Sequence, residues 1–225
     1  MMTSNMHVSN NCCLCEEISS RTFPGQYRSA YPIDSRICHE TDEFVVLPTV
    51  SPLCAGHVLI LPRQHVSNLA TLPEPARRAL LACANSTVSV LAEHFGSDLY
   101  FFEHGVAEAG LACGIDHAHL HILPLSAATA DAVELHIETD FPAHSADSLV
   151  QSLSSSTQVK TTSYLLHGAS LNSMRMSFSE SIPSQYMRRL IADIQRRPEW
   201  DWKLLDGRPE LFATCAAFTG AKSLV

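Results

Sequence analysis

Three histidines alternate with apolar residues in the segment His-Ala-His-Leu-His-Ile-Leu, which runs from His117 to Leu123. Successive side chains of a β-strand point to opposite faces, so His117, His119 and His121 would share one face. Alternate Cβ atoms lie roughly 6.6 Å apart, which leaves the outer pair about 13 Å apart, too far to share one metal ion easily. A neutral imidazole can be a metal ligand, a nucleophile, an acid or a base near pH 7. The pattern therefore predicts a chemical face on which the histidines divide these roles.

The hydrophobic pattern predicts the strands and the helix that surround these histidines. Short apolar runs predict three strands before the histidine segment, at Phe44–Leu47, His57–Leu61 and Leu99–Phe102. A capping-box pattern at Thr71–Glu74, followed by apolar residues at steps of four and three, predicts an amphipathic helix that ends at Gly96. A loop from Gly105 to Gly114 then leads into the histidine strand.

The last hundred residues are predicted to form a separate extension. A serine-rich segment, about residues 145–162, is typical of a linker or an exposed helix end. Order is expected to resume at residues 164–166, followed by a strand near 174–178 and a helix over about 183–196. The sequence thus predicts a domain over residues 12–125 and a C-terminal α/β extension over residues 126–225.

Composition limits the classes of partner. The chain has 225 residues, 46% of them hydrophobic, a net charge of −8 and no run of basic residues. This balance argues against nucleic acid or an anionic membrane as the main partner. Neither a long apolar stretch nor a leader-like N-terminus is present, and most of the eight cysteines lie singly among apolar residues. We expect a cytoplasmic protein with reduced thiols.

Two motifs in this order resemble the histidine-triad (HIT) family. His117 to Leu123 is similar to the triad itself, and Gly56 to His65 is similar to the second family signature, a glycine and histidine before a strand, then proline, a basic residue and histidine. The resemblance covers about residues 12–125. It implies an α+β fold with a twisted antiparallel sheet and flanking helices, often a homodimer, and hydrolysis or transfer of nucleoside monophosphates. The partner would be a small nucleotide or a similar phosphate ester.

The resemblance also assigns catalytic roles. In the family the middle histidine attacks the α-phosphorus and forms a phosphohistidine, which implies that His119 is the nucleophile here. Imidazole suits this role, since it can split one difficult phosphoryl transfer into two easier steps. His57 and His121 would contact the phosphate oxygens and offset their developing charge.

A Cys-x-x-Cys pair, Cys12 and Cys15, precedes the domain. The pair alone does not complete a metal site, and a metal-free thiol cluster is the alternative. Zinc-containing members of the family, and the related galactose-1-phosphate uridylyltransferases, close such a site with two histidines. The resemblance therefore implies a structural Zn²⁺ held by Cys12, Cys15, His65 and His117.

Several positions depart from the family pattern. Thr49 stands where many relatives have a ribose-binding aspartate, Glu103-His104-Gly105 replaces Asn-x-Gly, and Cys113-Gly114 replaces Gln-Ser. Backbone N–H groups near Gly114 could still bind phosphate. Glu103, His104 and Asp116 are candidates for contacts to an unusual leaving group or base. Gln185 and Arg188 are candidates for a lid. The predicted substrate-binding residues are Gly114, Thr49, Glu103, Gln185 and Arg188.

The leading hypothesis is a HIT-type hydrolase that cleaves a nucleoside-monophosphoryl bond through a phosphohistidine at His119. A nucleotidyltransferase with the same intermediate is the first alternative, although His121, where the uridylyltransferases carry glutamine, favours hydrolysis. A zinc-stabilised module that binds a phosphorylated ligand without turnover is the second. A metal-dependent hydrolase with a His-x-His chelate is the third, and it lacks a carboxylate-rich partner segment.

Overall fold

The computed structural model describes residues 12–23, 33–107, 117–143, 145–154, 162–204 and 206–221. Within these residues one antiparallel sheet carries helices on both faces, which confirms the predicted α+β fold. The strands are β1 His39–Glu40, β2 Phe44–Pro48, β3 Val58–Pro62, β4 Leu99–Gly105, β5 Leu120–Pro124, β6 Ser145–Asp147, β7 Tyr164–Ser170 and β8 Ser173–Phe178. The α-helices are α1 Cys13–Ser20, α2 Glu74–Phe95, α3 Ala127–Asp140, α4 Leu149–Ser152, α5 Tyr186–Ile194 and α6 Arg208–Ala221.

The C-terminal residues continue the sheet that the histidine motifs begin. The strand order is β1-β2-β3-β5-β4-β7-β8-β6, so the three strands that follow residue 125 extend the sheet from β4. β7 pairs with β4 from Phe101 opposite Gly168 to Gly105 opposite Tyr164. The boundary predicted at residue 125 therefore lies between strands of one continuous sheet.

Alternation along the central strands gives the sheet two different faces. On one face, which we call the α2 face, Val46, Ile60 and Leu120 pack under α2. On the opposite face, which we call the pocket face, directly paired residues form a row across five strands: Leu47, Leu59, His121, Phe102 and His167. β2 and β3 are buried along their whole length, which explains why their sequences are continuously apolar.

The second motif begins with a glycine for a steric reason. Gly56 has φ +85°, and a Cβ atom there would lie 2.8 Å from Cγ of Pro124 and 2.9 Å from Cδ2 of Phe95. Only glycine adopts this conformation readily and fits so close to its neighbours. The turn before His57 is therefore fixed by packing against the end of β5 and the end of α2.

The predicted start of α2 is wrong. The hydroxyl of Thr71 donates to the carbonyl of Asn68 at 2.7 Å, and Thr71 ends a short 3-10 helix, Leu69–Thr71. α2 begins after Pro73, which has no side chain that can cap a helix. The predicted end at Gly96 is confirmed, with φ +96° at that glycine.

The serine-rich segment is more ordered than its composition predicts. Residues 145–147 form β6 and residues 149–152 form α4, so part of the expected linker belongs to the sheet. Residues 155–161 lie outside the described part of the chain. The helix expected over 183–196 begins only at Tyr186. Gln185 has φ +58°, which is not a helical conformation, so it cannot belong to the first turn. Among the described residues, no helix combines the length and apolarity that a membrane span requires.

Candidate active site

The alternation in the histidine segment is present in the structure. Ala118, Leu120 and Ile122 are buried in the core under α2. Regular pairing begins at Leu120, so His117 and His119 lie just before β5 rather than within it. A backbone hydrogen bond holds this segment, from Ala118 N–H to the carbonyl of Val66 at 2.7 Å.

His119 is held in one tautomer by the backbone. Its Nδ1 lies 2.7 Å from the carbonyl oxygen of His117. A carbonyl oxygen can only accept, so Nδ1 carries the hydrogen and Nε2 keeps the lone pair. Burial lowers the pKa of His119, which favours the neutral ring. This arrangement gives the ring a nucleophilic nitrogen at neutral pH.

His57 and His121 form a hydrogen-bonded relay on the pocket face. The N–H of Leu53 donates to Nδ1 of His57 at 3.3 Å, so the hydrogen of His57 lies on Nε2. That nitrogen lies 2.9 Å from Nδ1 of His121 and donates to it. The hydrogen of His121 is therefore on Nε2, as a donor for a molecule in the pocket. Burial lowers the pKa of both rings well below the usual value, and both are neutral.

The sheet and the C-terminal residues enclose one pocket around these histidines. The pocket contains about 880 Å³ of space between the side chains, including space that is open to solvent. Its lining residues include His104, His119, His121, Phe102, Thr49, Arg36, Gln185, Tyr186, Arg188 and Trp202. Phe102 stacks on His121 with ring centroids 4.1 Å apart and fixes the plane of that ring. The structure thus brings Thr49, Gln185 and Arg188 together with the triad. His57 lies behind His121 and is not among the lining residues. His57 could therefore act on a bound molecule only through its hydrogen bond to His121.

Four predicted metal ligands lie together at the N-terminal end of the histidine segment. One ligand atom from each of Cys12, Cys15, His65 and His117 falls within 4.8 Å of all the others. Nδ1 of His117 faces the two sulfur atoms at 3.6 and 3.4 Å, and Nδ1 of His65 lies 3.3 Å from Sγ of Cys15. Two thiols and two imidazoles in one cluster are a donor set that zinc prefers.

The surroundings of this cluster suit metal binding. Nε2 of His117 donates to the carbonyl of Pro62 at 2.8 Å, which leaves Nδ1 as the nitrogen with the lone pair. The N–H of Cys15 points to Sγ of Cys12 at 3.5 Å, at the start of α1. Such hydrogen bonds orient the ligands before a metal arrives.

Glu103 is predicted from the sequence to bind substrate, and the structure contradicts this. β4 continues to Gly105, so Glu103 points to the α2 face, whereas Phe102 and His104 point to the pocket. Its carboxyl group accepts from Leu69 N–H at 2.7 Å and from the Tyr164 hydroxyl at 2.8 Å. Burial raises the pKa of Glu103 to about 8. The residue is a buried structural group, and its neighbour His104 is the polar residue that lines the pocket.

Some predicted site residues fall outside the described part of the chain, and one pocket residue carries no signal in the sequence. Gly114, Cys113 and Asp116 lie outside the described residues. Arg36 is not predicted, although it lines the pocket and is only 3% exposed. Its guanidinium binds both carboxylate oxygens of Glu17, at 2.9 and 2.8 Å. No sequence pattern marks this contact, since the two residues belong to no common motif.

Comparison with known proteins matches one part of the chain to a family model. Residues 31–128 match the family model of the HIT domain. The match covers less than half of the chain, so residues 31–128 are similar to a HIT domain. The expected likeness to galactose-1-phosphate uridylyltransferases stays a prediction.

Two relatives with assigned names match part of this chain. It is 31% identical over 91 residues to a bis(5'-adenosyl)-triphosphatase from Dictyostelium discoideum, covering 40% of this chain and 60% of the relative. It is 24% identical over 104 residues to a bis(5'-nucleosyl)-tetraphosphatase (asymmetrical) from Schizosaccharomyces pombe, covering 44% and 53%. The chain thus spans a little over half the length of these curated relatives.

The solved structures that this chain matches include two HIT proteins. A member of the HIT family from Bacillus subtilis has a TM-score of 0.41 and 21% identity, over 51% of this chain and 73% of that chain. A Zn-bound histidine triad family protein from Mycobacterium smegmatis has a TM-score of 0.40 and 16% identity, over 52% and 76%.

Proposed function

We propose that this protein is a nucleotide hydrolase in which His119 forms a covalent phosphohistidine. The observation that carries the proposal is the hydrogen bond from His119 Nδ1 to the carbonyl of His117, which leaves the lone pair on Nε2 of a ring that lines the pocket. The HIT domain match and the two named phosphatases support a nucleotide as the substrate.

The proposed reaction has two steps, formation of the phosphohistidine and its hydrolysis. Nε2 of His119 forms a bond to the α-phosphorus while the bond from phosphorus to the leaving group breaks, and the leaving group departs with the electron pair and takes up a proton from solvent. Water then attacks the same phosphorus, the N–P bond breaks, and the imidazole recovers its lone pair as the water gives up a proton. The Nε2–H of His121 donates to a phosphoryl oxygen in both steps, oriented by His57.

We also propose that Cys12, Cys15, His65 and His117 hold a structural Zn²⁺. All four ligands come from the protein, which leaves no open position for substrate in a tetrahedral site. The ion would tie α1 to the start of β5 and so fix the backbone carbonyl of His117 that orients His119. Its chemistry is that of a structural cross-link, and the reaction steps belong to the histidines.

The direct test is turnover by His119→Ala. Full-length wild type and variant are assayed with adenosine 5'-phosphoramidate and with dinucleoside tri- and tetraphosphates. We expect the variant to lose about 10⁴-fold or more in kcat with an unchanged circular-dichroism spectrum, as for removal of a covalent nucleophile. His94→Ala is the matched control, because His94 is exposed on α2. Equal turnover by wild type and His119→Ala would refute the proposal.

Product analysis separates hydrolysis from transfer. In ¹⁸O-labelled water a hydrolase places one labelled oxygen on the nucleoside monophosphate, whereas a transferase gives labelled product only when it has no phosphate acceptor. We expect the label at the same yield with or without added phosphate or sugar phosphate. Dependence on such an acceptor would assign a transferase, and tight nucleotide binding without turnover would assign a binding module.

A further inference from the structure

We propose that Arg188, which lies outside the residues matched by the HIT domain, binds the phosphoryl group of the substrate and stabilises its charge during transfer. The inference rests on the proposed function, since it adds a residue to the same reaction. It begins from the different surroundings of two consecutive arginines.

Arg188 and Arg189 look equivalent in the sequence, but the structure separates them. Arg188 is only 5% exposed and lines the pocket with His119 and His121. The side chain of Arg189 is 66% exposed and lies 3.7 Å from Asp193 on the same helix. A guanidinium is rarely buried unless something charged or strongly polar is to meet it. Only Arg188 can therefore reach a bound substrate.

Two backbone carbonyls fix the position of the Arg188 side chain. Its Nε donates to the carbonyl of Trp200 at 3.0 Å, and one terminal nitrogen donates to the carbonyl of Ser51 at 2.7 Å. Carbonyl oxygens orient a guanidinium without neutralising its charge. Because Ser51 lies in the turn that leads to His57, the same contact ties the C-terminal residues to the histidine relay. The cation is thus held in place before substrate binds, which favours catalysis.

The charges of the pocket lining favour an anion beside Arg188. The carboxylate of Asp201 also lies near this arginine, whose charge helps to lower the pKa of Asp201 after a backbone hydrogen bond, but Asp201 is not a lining residue. Among the described lining residues there are two arginines and no carboxylate. Arg36, the other arginine, is paired with Glu17 through two short bonds, which offsets its charge. Burial and then the charge of Arg188 lower the pKa of His57, and for His121 the charge of Arg188 contributes after burial, His119 and His57. Arg188 therefore lies close to the relay. The first turn of α5, which carries Arg188, adds the positive end of a helix dipole.

These positions define what Arg188 does. As the bond from His119 to phosphorus forms and the leaving group departs, the non-bridging oxygens remain negatively charged. The His121 Nε2–H supplies one donor, and the guanidinium supplies a fixed cation. Removal of such a cation from a phosphoryl-transfer site typically costs about 10²-fold or more in kcat. We therefore expect Arg188 to act mainly on kcat.

The test compares Arg188→Gln with two matched arginine variants in the full-length chain. Arg189→Gln removes the exposed neighbour, and Arg197→Gln removes a donor to the carbonyl of Leu53, in the same loop that Arg188 anchors. Arg197 is not among the lining residues. We expect kcat to fall about 100-fold in Arg188→Gln and less than about fivefold in the other two. Added methylguanidinium should restore part of the activity of Arg188→Ala.

The outcomes distinguish this inference from the proposed function. Wild-type kcat in Arg188→Gln, or an equal loss in Arg197→Gln together with no rescue by methylguanidinium, would overturn the inference and leave His119 as the nucleophile. If the wild type shows no turnover that depends on His119, the proposed function fails. Calorimetric binding of AMP then still decides the inference: we expect a Kd about tenfold weaker in Arg188→Gln than in Arg197→Gln, and equal Kd values would overturn it.

Discussion

Glu103 and His104 are neighbours on β4, yet they belong to two regions of the molecule with opposite properties. Glu103 lies on the α2 face, 1% exposed, with both carboxyl oxygens bonded to groups of the protein. His104 lies on the pocket face beside the triad. A shift of one position along the strand decides whether a polar side chain points into the core or into the pocket.

Burial shifts the pKa of acids and histidines on the two faces in opposite directions. On the α2 face, burial raises the pKa of Glu103 to about 8, so an acid is kept from ionising. On the pocket face, burial lowers the pKa of His104 to about 4, and neighbouring imidazoles are neutral too. Neutral imidazoles retain lone pairs, and the fixed positive charge comes from arginines. Glu103 therefore supports the core, whereas we propose that the histidines of the pocket face take part in chemistry.

We expect the largest effect from loss of the proposed zinc, because the ion would hold the start of β5 and so support the pocket face. Cys15→Ser removes one of four ligands, and we expect the variant to lose its zinc and to unfold at a temperature at least about 10 °C lower, since a structural zinc contributes several kcal/mol. Cys13→Ser, one residue outside the ligand set in the same helical turn, is the control. Metal content by plasma mass spectrometry and thermal denaturation measure both. A Cys15→Ser protein with wild-type zinc content and melting temperature would remove the metal from the account.

The next effect concerns the relay. His57→Asn removes the Nε2–H that donates to His121, so His121 loses its fixed tautomer, and we expect kcat to fall about 100-fold with little change in KM. Steady-state kinetics measure the effect, with the exposed His94→Asn as the control. Retention of full kcat would show that the hydrogen bond between the two rings has no catalytic role.

Glu103→Gln tests the other face. The folded-state pKa of about 8 lies above the ordinary value of 4.5, so the neutral acid is favoured in the folded protein. The wild-type free energy of unfolding should fall as pH rises from about 4.5 to 8, by an amount on the order of a few kcal/mol. The glutamine variant should lack this fall and keep wild-type kcat. Urea denaturation at several pH values measures it; a tenfold loss of kcat would place Glu103 in the site after all.

Thr49→Val has the smallest expected effect. The Thr49 hydroxyl donates to the carbonyl of Val50 at 3.2 Å, while its oxygen can still accept one bond from a ligand. Loss of one such bond costs about 1 kcal/mol, so we expect KM to rise by a factor of about five. The exposed Thr139→Val on α3 is the control. A KM unchanged within error would remove Thr49 from the binding residues.

The sequence predicts the pocket face well where motifs are local. Alternation predicts the shared face of the histidines, and the resemblance to the HIT family predicts that Cys12, Cys15, His65 and His117 meet at one place. Glu103 is misassigned because the strand predicted from the apolar run ends at Phe102. If β4 is extended to Gly105, alternation places Glu103 in the core and His104 in the pocket.

The remaining differences arise from contacts between distant parts of the chain. Arg188 and Arg189 are distinguished only by packing of α5 against the turn that contains Ser51. Arg36 depends on Glu17, from the first helix. The serine-rich segment gains β6 through pairing with β8, which composition cannot reveal. Tertiary contacts of this kind override local propensity.

The most direct test of the central claim is a search for the covalent intermediate. Wild-type protein is mixed with a dinucleoside triphosphate, quenched within one turnover at alkaline pH, and digested for mass spectrometry. We predict a nucleoside-monophosphate adduct on His119 that forms and decays at rates compatible with kcat. Turnover without any adduct, or an adduct on a different residue, would contradict the account.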